Sequence, residues 1–127
     1  MRRVAGFGFR MGTGVNSLLE ALTAAGGPEG VTQIATAEAK ADAPCMRDLS
    51  ERLGLPINAV TVVDLAKPNV VTRSEKSIEM YGTGSLSEAA ALHAAGHGAR
   101  LVAPRTLSTD RMATCAIAES EPERRNP

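Results

Sequence analysis

Apolar residues along the chain follow two different periods. Runs in which every second residue is apolar, or in which nearly all are, predict strands, and runs with apolar residues three or four apart predict helices. Glycine and proline clusters separate these runs and predict turns. The expected strands lie at 4–9, 31–36, 55–60, 99–103 and 111–118. The expected helical segments lie at 14–25, 43–53, 61–66, 77–81 and 85–95.

This alternation of strands and helices defines the expected fold class. It favours an α/β protein whose mainly parallel sheet is covered by helices on both faces. Only the short loop 104–110 separates the last two strands, which indicates an antiparallel pair and so a mixed sheet of about five strands. We expect one domain over residues 1–118 and a disordered, charged tail over 119–127.

A glycine-rich turn joins the first strand to the first helix and carries a cation, Arg10. Free N–H groups at a helix start attract anions, and a guanidinium beside them adds a fixed charge. Gly8, Gly12 and Thr13 belong to this candidate site, and Thr13 is the expected N-cap. The alternative is that Gly6 and Gly8 only let the strand pack closely against a helix. The glycine spacing fits neither a dinucleotide fingerprint nor a P-loop.

Further candidate residues follow other strands. Ligands of open α/β sheets bind outside the carboxyl ends of the strands. Right-handed crossovers bring the connections after successive parallel strands to that edge, so we expect Lys40 and Arg105 to lie near Arg10. A second glycine turn, which includes Gly84 and Ser85, opens the late helix and is expected close by.

Candidate catalytic groups are few. Glu38 and Asp42 are the weak candidates for acid and base, four residues apart in one loop, where Asp42 is also the expected cap of the next helix. Glu88 is interpreted as the second member of a capping box with Ser85. His93 falls on the apolar face of the same helix and is interpreted as a packing residue.

Composition excludes several classes of function. The 127-residue chain has 14 basic and 14 acidic residues and only three aromatic ones. It therefore has neither the net positive charge that attracts nucleic acid nor enough aromatic side chains to stack on its bases. No apolar run approaches the ~20 residues of a transmembrane helix, and no signal peptide is recognisable. Cys45 and Cys115 have no ligand partners at metal-binding spacing. We therefore expect a cytoplasmic protein with two packed thiols, no metal, no cofactor and no membrane association.

Four motifs in this order resemble a known family. They are GFGFRMGTG at 6–14, ATAEAKAD at 35–42, GTGSLSEAAAL at 82–92 and LVAPR at 101–105. The chain resembles the CobE family of cobalamin biosynthesis proteins, which is similar to the C-terminal domain of CbiG, over roughly residues 3–118. Two positions depart from that pattern: Ala43 stands where the family has Glu, and Arg105 where a Lys often follows the proline.

The resemblance implies a three-layer α/β/α domain and a role in building the corrin ring. Precorrins are flat, apolar macrocycles fringed with carboxylates, so a binder needs several cations, backbone N–H groups and an apolar floor. The implied partners are a precorrin and other enzymes of that pathway, and a homodimer is the generic expectation for a small protein.

Three hypotheses follow. The first is a precorrin carrier or chaperone that grips acid side chains with basic residues. The second is a hydrolase that opens a precorrin lactone with Glu38 or Asp42 acting on water, as the resemblance to CbiG implies. The third is a small α/β module for nucleotides or phosphates.

Overall fold

The computed structural model describes residues 2–121, which form one α/β domain. The strands are β1 (Arg2–Phe9), β2 (Gln33–Ala37), β3 (Ile57–Val60), β4 (Arg100–Leu107) and β5 (Ala113–Ser120). The helices are α1 (Val15–Ala24), α2 (Pro44–Leu53), α3 (Val62–Leu65), α4 (Glu75–Tyr81) and α5 (Leu86–Ala95), with a 3-10 turn at Glu38–Lys40.

The five strands form a single mixed sheet in the order β3-β2-β1-β5-β4. β1, β2 and β3 pair in parallel, whereas β5 is antiparallel to both β1 and β4. The predicted α/β fold with a mixed five-stranded sheet is therefore confirmed. Because β5 is the only strand of this sheet that is reversed, the carboxyl ends of the other four and the start of β5 share one edge.

Two hydrophobic clusters cover the two faces of the sheet and produce three layers. On one face, α1 and α2 bury Leu18, Leu22 and Met46 against sheet residues such as Phe7. On the other face, α5 presents mainly alanines to the sheet. Short side chains bring this helix very close to the strands.

Gly6 shows how close α5 lies to β1. A Cβ at Gly6 would lie 2.1 Å from the carbonyl oxygen of Ser87 and 2.6 Å from the backbone nitrogen of Ala91, both in α5. These distances are far below van der Waals contact, so only glycine fits here. Close packing against a helix, which was one of the two interpretations of the first glycine motif, is thus correct for Gly6.

Several local predictions are corrected. Thr13 is not the N-cap of α1: that position is Gly14, and the Thr13 hydroxyl instead donates to the Arg10 carbonyl at 2.5 Å. Asp42 does not cap α2, which begins after Ala43. The N-cap of α1 is the glycine itself, and the N-cap of α2 is the residue directly before Pro44. In neither helix is the preceding polar residue the cap.

β4 is longer than predicted, and β5 is shifted by two residues, so that it begins at Ala113 and not at Arg111. β4 continues to Leu107, so Arg105 lies within a strand and not after it. β5 continues through Ser120, two residues past the expected domain boundary. Its last residues have distant partners that the local pattern does not reveal, because Glu119 forms an ion pair with Arg3 and the Ser120 hydroxyl donates to the Ala95 carbonyl. The rest of the expected tail, 122–127, lies outside the described residues.

Candidate functional site: a cation-lined cavity

An open cavity of about 590 Å³ lies at the sheet edge where β1 and β4 end and β5 begins. Five of the described residues that line it are cations and none is acidic. The cations are Arg10, Lys40, Lys76, Arg105 and Arg111. Apolar side chains share the lining, namely Phe9, Met11, Met80, Leu86, Leu107 and Met112. The cavity therefore combines an apolar surface with a concentration of positive charge in a chain of zero net charge.

Lys40 is fixed in place from the 3-10 turn after β2. Its ammonium donates to the Phe9 carbonyl at 2.5 Å and lies 4.8 Å from the centroid of the Phe9 ring. Burial lowers the pKa of Lys40, and the nearby positive charge of Lys76 lowers it further. A carbonyl oxygen and an aromatic face both favour the charged ammonium. The Lys40 side chain is thus held as a cation with Phe9 beneath it.

Arg10 and Arg111 stand at the mouth of the cavity. Arg10 is exposed directly after β1, and its backbone N–H donates to the Met112 carbonyl at 3.0 Å. Arg111 adopts a left-handed conformation with φ of 61°, which is uncommon outside glycine. Asp110 holds the loop around it, because its carboxylate accepts hydrogen bonds from Ser108 at 2.6 Å and Ser17 at 2.5 Å.

Glu88 is a buried carboxylate behind the cavity, with no exposed surface. It does not close the predicted capping box, although the Ser85 hydroxyl does accept from the Glu88 N–H at 3.4 Å. Instead, its Oε1 accepts from the backbone N–H groups of Val71 and Thr72, both at 2.8 Å. Its Oε2 accepts from the Thr72 hydroxyl at 2.7 Å and from the Arg105 N–H at 2.9 Å. Interpretation of Glu88 as a capping side chain is therefore wrong.

The charge state of Glu88 follows from these four donors. Burial alone acts to raise its pKa, but the hydrogen bonds from Thr72, Arg105 and Val71 together outweigh burial and lower the pKa. Glu88 is therefore an ionised carboxylate that pairs with no cation among the described residues and is stabilised by backbone and hydroxyl dipoles.

The structure brings together some of the residues predicted to bind a ligand and separates others. Those that line the cavity are Gly8, Arg10, Lys40, Ser85 and Arg105. Gly12 and Thr13 lie in the adjacent turn but do not line it. Gly84 lies behind the wall, where a Cβ would come 2.6 Å from the Thr72 carbonyl oxygen. Close packing of the 70–74 segment is what requires this glycine.

The two candidate catalytic carboxylates do not line the cavity. Glu38 and Asp42 are both exposed to solvent on the turn that carries Lys40. His93 lies elsewhere, half-buried on α5 with its Nε2 atom 3.4 Å from Asp64. Within residues 2–121, no group of three or more His, Cys, Asp or Glu side chains is arranged to hold a metal ion.

Sequence reasoning missed two of the five cations. Arg111 was predicted to begin the last strand and instead lies two residues before it, but the antiparallel pairing that the sequence predicts already places the start of that strand at the same edge. The sequence around Lys76 does not predict a place at the cavity. The segment that leads into α4 follows a path set by contacts with residues distant in the chain. Ser77, also on α4, has a buried hydroxyl with no hydrogen-bond partner among the described residues.

The fold and this cavity define a single-domain α/β protein with a cation-rich, partly apolar cavity at the carboxyl edge of its sheet. The family model for the cobalamin synthesis G C-terminus matches residues 3–118. The chain belongs to this family and is a cobalamin biosynthesis protein. No curated protein sequence matches it significantly. None of the helices in the described part of the chain is long and apolar enough to span a membrane.

Solved structures agree with this assignment. CobE, a protein from the cobalamin (vitamin B12) biosynthetic pathway, is 30% identical with a TM-score of 0.82, over 97% of this chain and 93% of that one. The cobalamin biosynthesis protein chiG from Agrobacterium tumefaciens is 35% identical with a TM-score of 0.69, over 94% and 99%. A putative cobalamin biosynthesis protein G homologue from Sulfolobus solfataricus shares the fold at 16% identity and a TM-score of 0.70, over 95% of this chain and 37% of its own.

Proposed function

We propose that this protein binds a polycarboxylate tetrapyrrole intermediate of cobalamin biosynthesis in the cation-lined cavity and acts as its carrier. The observation that carries the proposal is the composition of the lining, with five cations, several apolar side chains and no acidic residue among those described. A flat apolar ring with ionised acid side chains matches both parts of that surface. The volume also falls within the range of about 300–1,000 Å³ that is usual for small-molecule sites.

The arrangement supplies distinct contacts for such a ligand. The guanidinium groups of Arg10, Arg105 and Arg111 suit bidentate recognition of carboxylates. Exposed Met11 and Met80 provide adaptable apolar surface at the rim, where methionine tolerates ligands of irregular shape.

Hydrolysis of a precorrin lactone receives no geometric support from Glu38 or Asp42, which lie outside the cavity lining. A carrier needs no general base, and the described lining supplies charge and apolar surface without a carboxylate. We therefore propose binding as the function of this site.

The test is a titration with hydrogenobyrinic acid, a metal-free corrin acid, followed by its visible absorption and by the mass of the recovered ligand. Arg10→Ala is expected to weaken binding about tenfold, the loss for a single charged contact worth about 1.4 kcal/mol. Binding should also weaken as salt rises, because the cations are partly exposed. The recovered mass should be unchanged.

Arg47→Ala is the matched control, because Arg47 is an exposed arginine on α2 outside the cavity. Its effect should be less than about twofold, as expected for a remote surface charge. Equal losses in the two variants, or no binding by the unmodified protein, would overturn the proposal. A changed ligand mass would assign the protein a catalytic role instead.

A further inference from the structure

We infer that Glu88 is a positioning residue that fixes two walls of the cavity relative to each other. One wall is β4, which carries Arg105. The other is α4, which follows the connecting segment 70–74 and carries Lys76. The inference rests on the proposed function for its effect on a ligand, but the hydrogen bonds that carry it belong to the protein alone.

The first observation is that Glu88 bonds to both walls at once. The carboxylate accepts from the N–H groups of Val71 and Thr72 on the connecting segment and from the N–H of Arg105 on β4. It is fully buried on α5, which packs directly on the central strands. This buried helix therefore sets the position of two peripheral elements through a single side chain.

The second observation concerns why the Arg105 N–H is available. β4 pairs with β5 at Ala103 and again at Thr106, with a shift of register between these two positions. Pro104 lies within this irregularity and has no N–H to donate. Arg105 lies on this edge strand between the two shifted positions, so its N–H is outside the regular ladder and donates to Glu88. A strand irregularity of this kind commonly re-aims a side chain beside a functional site.

The third observation is that α4 has little of its own to hold it. None of its residues is buried, although its cavity side contributes Lys76, Ser77 and Met80. Its start is tied by the bond from the Ser74 N–H to the Gly84 carbonyl at 2.7 Å. Glu88 is a second polar anchor of the connecting segment. Packing holds α4 only in part, through the partly buried Tyr81, so these hydrogen bonds carry much of what places the helix.

Glu88→Gln is the informative substitution. One amide oxygen can still accept from the Val71 and Thr72 N–H groups, but the NH₂ group would then face the Arg105 N–H, donor against donor. We expect the amide hydrogen of Arg105 to exchange at least tenfold faster, and those of Val71 and Thr72 to remain protected. The affinity for hydrogenobyrinic acid is expected to fall about tenfold.

A double-mutant cycle separates positioning from general damage. Arg105→Ala removes the side chain of Arg105 but keeps its N–H. If Glu88 acts through the β4 wall, Glu88→Gln will weaken binding less than twofold in the Arg105→Ala protein and about tenfold in the Arg10→Ala protein. Equal losses in both backgrounds, or unchanged Arg105 exchange, would overturn the inference.

Thr72→Val covers the case in which Glu88→Gln does not fold. It removes only one of the four donors, and it should speed exchange at Thr72 and weaken binding about threefold. Unchanged exchange and unchanged affinity would contradict the inference. Absence of hydrogenobyrinic acid binding by the unmodified protein would refute the proposed function, whereas amide exchange would still decide whether Glu88 fixes the walls.

Discussion

Gly6→Ala is expected to be among the most damaging single substitutions in this protein, although it adds only one methyl group. The new Cβ would lie 2.1 Å from the Ser87 carbonyl oxygen and 2.6 Å from the Ala91 nitrogen. Both are backbone atoms of α5, so no side-chain rotation relieves the clash. The helix must withdraw by more than about 1 Å to restore van der Waals distances.

The expected loss of stability follows from the contacts that are disrupted when α5 withdraws from the sheet. Eight of the ten residues of α5 are buried, and its alanines contact the sheet through single methyl groups. A gap of 0.5–1 Å forfeits roughly a quarter to a half of each dispersion contact. Overpacking usually costs about 1–3 kcal/mol, and because the backbone on both sides is fixed, we expect about 3 kcal/mol or more here. That loss lowers Tm by roughly 10 °C in a domain of this size.

Urea unfolding followed by far-ultraviolet circular dichroism measures this directly. Gly14→Ala is the matched control, because a Cβ at Gly14 meets nothing within 4 Å. As Gly14 is the N-cap of α1, this change should cost only about 0.5–1 kcal/mol. A loss below about 1 kcal/mol for Gly6→Ala would refute the argument that helix contact excludes a side chain at this position.

Two further predictions concern titration and reactivity. Hydrogen bonds from the Ser108 and Ser17 hydroxyls lower the pKa of Asp110 to about 2, so its contribution to stability is complete above its ordinary value of 3.8 and is lost as pH falls through about 2. The urea midpoint of Asp110→Asn should therefore fall less between neutral pH and pH 2 than that of the unmodified protein; an equal fall would contradict this assignment. Burial raises the pKa of both the Cys45 and the Cys115 thiol, so Ellman's reagent should react slowly with the native protein and rapidly in urea. Rapid reaction of one equivalent in the native state would show that one thiol is accessible.

Periodicity and turn chemistry were sufficient to predict the sheet and part of the site. The alternation of strands and helices indicated the parallel part, and the short loop before the last strand indicated its antiparallel pair. Those two inferences place Arg10 and Lys40 at the same edge, because carboxyl ends of parallel strands meet there. Arg105 reached the cavity for a different reason, from within a longer strand.

Glu88 shows why the remainder was not predictable. The pattern Ser85-x-x-Glu88 is that of a capping box, and half of the box is present, since the Ser85 hydroxyl does accept from the Glu88 N–H. The Glu88 carboxylate turns away because three distant backbone N–H groups and one hydroxyl are available to it. A local sequence pattern indicates hydrogen-bond partners three residues apart. It contains no information on a distant donor such as the Arg105 N–H of β4.

The position of β5 explains how a chain of zero net charge concentrates five cations at one cavity. β4 ends at the carboxyl edge of the sheet, so the hairpin loop that follows it lies there. Because β5 is antiparallel between β1 and β4, it also begins at that edge, and Arg111 in the loop lines the same cavity as Arg10. Arg111 takes the left-handed backbone conformation that costs a side-chain-bearing residue energy, while Asp110 secures the loop. Such strain persists where the surrounding structure enforces it, and strained residues commonly cluster at binding sites.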